Sequence, residues 1–159
     1  MSTKIQALAL DVDGTLTDGS VLWSTGGEES KRFHFLDIMG LARIIKAGIP
    51  VALISGEDSP LVDRLASKVG ITSVYKGCKK KDLALAAFVE SVGLTLGDVC
   101  FMGDDINDLP ALRTAGLNAA PCSAHPIVLR EAEFISERPA GSGAVRCLID
   151  HLWGEFVTP

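Results

Sequence analysis

The chain has 159 residues, of which 47% are hydrophobic and 22% charged, with a formal net charge of -5. That is long enough for a single domain spanning 1–159 with a proper core, and too apolar for a disordered chain. The acidic balance argues against a nucleic-acid partner, and no apolar run nears the roughly 20 residues of a membrane helix.

The segment MSTKIQALALDVDG carries one lysine and lacks the small-residue cleavage site of a signal peptide, so a cytoplasmic setting with no membrane partner is expected. Cys78, Cys100, Cys122 and Cys147 stand singly with no CxxC pair. They read as reduced thiols, with disulfides or a zinc site the minor alternative.

In chain order, residues 5–12 form a short apolar run that predicts a buried strand. VLWSTGGEESKRFHF reads as a β-hairpin turning at Thr25-Gly26-Gly27, with alternation continuing through Arg32, Phe33, His34 and Phe35. A helix is predicted over 38–46, stopped at Gly48, and a second buried strand over 49–55. Asp58 or Ser59 caps the next helix, with Pro60 in its first turn and Gly70 at its end.

ITSVYKG predicts a third strand, 80–92 a helix ending at Gly93, and 98–104 a fourth strand. A short helix over 109–115, the strands LNAAP and EFIS, and a helix over 144–153 complete the chain. Buried strands alternating with helices predict an α/β fold, an open parallel Rossmann-like sheet with helices on both faces and a hairpin after the first strand. Ligands in such sheets lie beyond the carboxyl ends of the strands.

The polar residues fall at that rim. Asp11 and Asp13 follow the first strand, Ser55 and Gly56 the second, Lys81 follows the third near the start of its helix, and Asp104, Asp105 and Asp108 follow the fourth. Gathered acids repel, and a divalent cation relieves the repulsion; an all-oxygen set points to Mg²⁺, which commonly shares its shell with a substrate phosphate. A carboxylate can attack phosphorus to give an aspartyl-phosphate. A second acid two residues on can protonate the leaving oxygen and then deprotonate water. Ser55, the Gly56 N–H and Lys81 can take phosphoryl oxygens.

DVDGT, ISG, the lysine and GDDIND, in that order, resemble the four motifs of the haloacid dehalogenase superfamily of phosphatases. The resemblance implies Asp11 as nucleophile, Asp13 as acid/base, and Mg²⁺ held by the Asp11 side chain, the Asp13 carbonyl and Asp104. It also implies Ser55 and Lys81 on the phosphate, with Asp105 and Asp108 in support.

About twenty residues of hairpin follow Asp18, and nothing is inserted between Ser55 and Lys81, so no cap domain is expected. The pattern DG…W…GGEE…F…D..GL with a late GSGAVR is similar to the capless phosphatases of 3-deoxy-2-ulosonic acid phosphates. Some of these serve lipopolysaccharide synthesis on an eight-carbon 8-phosphate; others act on nine-carbon 9-phosphates, and a similar module is fused to some CMP-sialate synthetases.

Glu57 stands where the eight-carbon enzymes usually carry Arg, and Lys68 follows eleven residues on, as in the nine-carbon enzymes. Ile38 and Ala140 also replace glycines common in the eight-carbon group. The sequence therefore favours a nonulosonate 9-phosphate as the sugar acid phosphate, with the octulosonate 8-phosphate as the alternative.

The capless relatives imply a homotetramer, and the hairpin's Val21, Leu22, Trp23, Phe33 and Phe35 supply an apolar surface for it. Two other classes compete. A phosphotransfer receiver would need an acid at the end of the third strand, where Tyr75-Lys76-Gly77 stands instead. A non-catalytic assembly module would not need Asp11, Asp13, Lys81 and Asp104 together.

Overall fold

The computed structural model describes residues 5–157. Residues 1–4 and 158–159, at the ends of the expected domain and including the N-terminal lysine, lie outside the described residues.

The central strand comes first in the chain. β1 (Ala7–Leu10) pairs in parallel with β4 (Val51–Ile54) on one side and β6 (Val99–Met102) on the other. Outside these lie β5 (Ser73–Tyr75), β7 (Leu117–Pro121) and β8 (Phe134–Ser136), giving the order β5-β4-β1-β6-β7-β8, parallel throughout. β1, β4 and β6 are buried at every position. That is why they read as unbroken apolar runs rather than alternating ones.

Helices cover both faces. α1 (Phe35–Lys46), α2 (Pro60–Val69) and α6 (Ala144–Val157) enclose a core that includes Leu8, Leu10, Leu41, Ile44, Leu53 and Trp153. α3 (Lys81–Ser91), α4 (Leu109–Thr114) and α5 (Pro126–Glu131) cover the other face over Ile54, Leu85, Phe88 and Phe101. Each fully buried large side chain here stabilises the fold by about 1.5–3 kcal/mol relative to exposure. α1 and α6 approach closely at Gly40, where a Cβ would lie 2.9 Å from Arg146 Cδ.

Several local expectations need correction. The hairpin is shorter than the alternation suggests: β2 (Leu22–Trp23) pairs with β3 (Glu29–Ser30), and the chain then leaves the ribbon. His34 caps α1, its Nδ1 accepting from the Leu36 N–H, so α1 starts at Phe35 rather than Ile38. An aromatic-rich extended run and a capped helix start look alike when the cap is histidine. Phe33 packs against the core and is not part of the exposed hairpin surface. Ser59, not Asp58, caps α2. α5, six residues behind a His125 cap, carries too little periodicity to be read from sequence.

Among the described residues nothing like a cap domain stands over the strand ends; only the hairpin does. No helix is long and apolar enough to cross a membrane.

Candidate active site

Parallel pairing puts the carboxyl ends of β1, β4 and β6 at one rim. Leu10 is level with Leu53 and Met102, so Asp11 and Asp13 emerge between Ser55 and Asp104. The Asp11 N–H donates to Met102 O at 3.0 Å, continuing the ladder one residue past the strand.

The chain then turns sharply. Gly14 has φ +86°, and a Cβ there would lie 2.0 Å from Asp104 Oδ2. Both the backbone and the space demand glycine, and the first acidic segment is thereby packed directly on the fourth. The Thr17 hydroxyl accepts from the N–H groups of Gly14 and Gly19, closing the loop. Thr15 Oγ1 lies 3.4 Å from Asp11 Oδ2.

Lys81 is the centre of the arrangement. Its Nζ donates to Asp11 Oδ1 at 2.6 Å and to Asp108 Oδ1 at 2.7 Å, and its side chain is 2% exposed. It is also the first residue of α3, where a positive charge opposes the helix dipole. Burial alone would push the ammonium pKa down, but Asp11 and Asp108 together outweigh it and the net shift is upward. A buried cation at the wrong end of a helix is retained only because two carboxylates face it.

Asp108 is bound on both oxygens. Oδ2 accepts from the Asp104 and Asp105 N–H groups, so this acid ties Lys81 to the loop after β6. Asp105 turns away and caps the following turn of 3₁₀-helix through the Ile106 N–H. Its carboxylate supports the loop, not the rim.

Carboxylate oxygens of Asp11, Asp104 and Asp108 lie within 4.8 Å of one another. Burial raises the Asp11 pKa to about 6, with Asp108 adding to it and Lys81 opposing. Burial, then Asp11, pushes Asp104 up to about 9. Three carboxylates face one ammonium, so two negative charges are uncompensated when all are ionised. The donors are all oxygen, Asp108 is already saturated, and Asp11 with Asp104 remains for a divalent cation. The residues fit Mg²⁺.

Ser55 is fully buried; its Oγ accepts from the Glu57 N–H, which leaves its proton free to donate. A Cβ at Gly56 would be in ordinary contact with Asn107 Nδ2 and the Cys78 carbonyl, each at 3.9 Å. Glu57 and Lys68 are both exposed. Lys68 lines a cavity of about 290 Å³ between the hairpin and α2, with Lys31, Phe33, Ile38 and Arg64, whereas Glu57 does not reach it. A larger cavity, about 620 Å³, lies at the amino ends of the strands beside Ile5, Pro50 and Trp153, away from the acids.

The structure gives side-chain contacts that the sequence did not assign. Lys31 Nζ donates to Asp13 Oδ1 at 2.7 Å. Asp37 Oδ1 accepts from the Arg146 N–H at the start of α6, and among the described residues its buried Oδ2 has no hydrogen-bond partner. Burial raises the Asp37 pKa. Gly141 (φ +69°) sits where a Cβ would lie 2.5 Å from the Asp18 N, so the late glycine segment packs on the loop after Asp13. The charged run EESKRF resembles a solvated strand edge, which hid Lys31; no local signal marks the Asp37 contact.

Known proteins share this fold. The model of the haloacid dehalogenase-like hydrolases matches residues 28–116. The 3-deoxy-D-manno-octulosonate 8-phosphate phosphatase KdsC of Escherichia coli K12 is 35% identical over 149 residues, 94% of this chain and 79% of that protein. A Moraxella catarrhalis 3-deoxy-D-manno-octulosonate 8-phosphate phosphatase, solved with magnesium, phosphate and KDO, superposes with TM-score 0.91 at 34% identity, over 98% of this chain and 91% of that one. The cobalt-bound Haemophilus influenzae phosphatase superposes with TM-score 0.91 at 32% identity, over 95% and 88%. The chain belongs to the haloacid dehalogenase-like hydrolases and is a phosphatase of that family.

Proposed function

We propose that this phosphatase, acting as one domain over 1–159, hydrolyses the phosphomonoester of a 3-deoxy-2-ulosonic acid through an aspartyl-phosphate on Asp11, with Mg²⁺ as cofactor. The observation that carries this reading is the buried Asp11–Lys81–Asp108 cluster with Asp104 beside it.

Asp11 attacks phosphorus while Lys81, Ser55 and the Gly56 N–H hold non-bridging oxygens. Asp13 gives a proton to the departing alkoxide as the P–O bond breaks. It then takes a proton from the water that attacks the phosphoaspartate. The Asp11 and Asp104 carboxylates and the Asp13 carbonyl would hold Mg²⁺, which supplies charge neutralisation at the phosphoryl group. Replacing Asp11 with Asn keeps the shape and removes the attacking charge. Phosphate release should fall by about 10⁴-fold or more, and near-normal release would refute the covalent mechanism.

The relatives' names support the octulosonate 8-phosphate as substrate. Glu57 in place of Arg, together with Lys68, supports a second reading, a nonulosonate 9-phosphate. Comparing kcat/KM for the two decides between them. The exposed hairpin supports self-assembly as a homotetramer that closes the open rim. A cytoplasmic site of action fits both readings.

A further inference from the structure

Lys31 is an unusual lysine. It follows β3 in a two-stranded ribbon whose Leu22 and Trp23 are exposed, yet its own side chain is 3% exposed. Burying that flexible stem costs about 2 kcal/mol of rotamer freedom, and the ammonium must be compensated.

Its partners are Asp13 Oδ1 at 2.7 Å and, more distantly, Glu29 Oε2 at 3.8 Å. Asp13 is 28% exposed at the rim. Among the described residues its other oxygen, Oδ2, makes no protein hydrogen bond. Lys31 also lines both cavities that flank the hairpin, the one toward Lys68 and one of about 470 Å³ beside Asp18, Ser20 and Arg32. One lysine therefore fixes one oxygen of this carboxylate while bordering both of these cavities.

We propose that Lys31 is the positioning residue for the acid/base Asp13. Its ammonium occupies Oδ1, so the transferable proton sits on Oδ2, which faces the leaving group. In the first step the Oδ2 proton passes to the departing alkoxide oxygen as the P–O bond breaks. In the second step the Oδ2 carboxylate takes a proton from the water whose oxygen attacks the phosphoaspartate. Because Lys31 stands on the hairpin, the ribbon becomes part of the proton-transfer apparatus. The inference rests on the reading of Asp13 given above.

The test separates proton transfer from general damage to the fold. Single-turnover release of the alcohol is measured with an alkyl phosphate, which needs an acid, and with p-nitrophenyl phosphate, whose leaving group does not. Lys31→Met should slow the alkyl phosphate by about 10²-fold and p-nitrophenol release by only a few fold. Lys31→Arg, which keeps the charge and donors, should recover at least tenfold of the loss.

Asp13→Asn is run beside them and should show the same split between leaving groups. If it does not, the reading of Asp13 falls. If Asp13→Asn shows the split and Lys31→Met slows both substrates equally or neither, the inference about Lys31 alone falls. Lys31→Arg no better than Lys31→Met would also overturn it. Should Lys31→Met fail to fold, Lys31→Gln keeps an N–H donor with less bulk lost and is read in the same assay; an equal slowing of both substrates there overturns the inference too.

Discussion

Two lysines face the aspartates of one site from different supports. Lys81 projects from a helix over the buried sheet and meets two carboxylates that are themselves inaccessible. Lys31 comes from a ribbon of two-residue strands and meets Asp13 and, more distantly, Glu29, both partly open to solvent. The first pair is held by the hydrophobic core, whereas the second depends on a hairpin that a two-stranded ribbon cannot stabilise by itself in water. In the proposed mechanism the half packed on the core bears the groups that grip phosphorus, and the hairpin half positions the carboxylate that moves protons.

The comparison can be broken most directly through stability. Removing the ammonium of Lys81 leaves two buried carboxylates unpaired, so Lys81→Met should cost about 3 kcal/mol or more in chelator. Lys31→Met strands a carboxylate that water can reach and should cost roughly 1 kcal/mol. Urea unfolding midpoints measure both, and equal losses would abolish the distinction between the two supports.

Proton linkage sharpens it next. Asp11 and Asp104 are held above the ordinary carboxylate value of 3.8, at about 6 and about 9. Between roughly 4 and 9 the folded, metal-free protein keeps protons that the unfolded chain releases. Its stability therefore falls as pH rises through that window. A divalent cation displaces those protons, so the rise in Tm on adding Mg²⁺ should be larger at pH 8 than at pH 6. Calorimetry at both values checks this. A rise that is equal or larger at pH 6 would remove Asp104 from the metal site.

The smallest effect concerns the hairpin surface. Trp23 is 74% exposed and Leu22 is exposed beside it, while Phe33 is partly buried against the core. Leu22→Ser with Trp23→Ser should lower the mass seen by light scattering and reduce activity several fold, leaving the monomer folded. A wild-type protein already monomeric at micromolar concentration would refute the proposed assembly.

Much of the site was legible because its signals are local. An apolar strand that ends in acids, as at Asp11 and Asp104, contradicts burial unless the charges have a use. Lys81 was legible through its place in the motif order, between ISG and GDDIND. The sheet was legible because β1, β4 and β6 are buried on both faces. What escaped was non-local. Lys31 meets Asp13 only after the ribbon folds back across 18 residues, and Asp37 meets Arg146 across 109. Neither contact leaves a mark in composition or periodicity. The helix start at Phe35 escapes because histidine, unlike Ser, Thr, Asp or Asn, is not an ordinary N-cap signal.

The position of β1 also bears on the order in which the protein is made. The strand that carries Asp11 leaves the ribosome early, but both its neighbours come later, at Val51–Ile54 and Val99–Met102. The loop after it rests on Gly141, and Asp37 bonds to Arg146 in the last helix. No early subset of the chain can enclose the first acids, and contacts so distant in sequence slow folding. During translation Asp11, the proposed nucleophile, is therefore made well before the segments that enclose it.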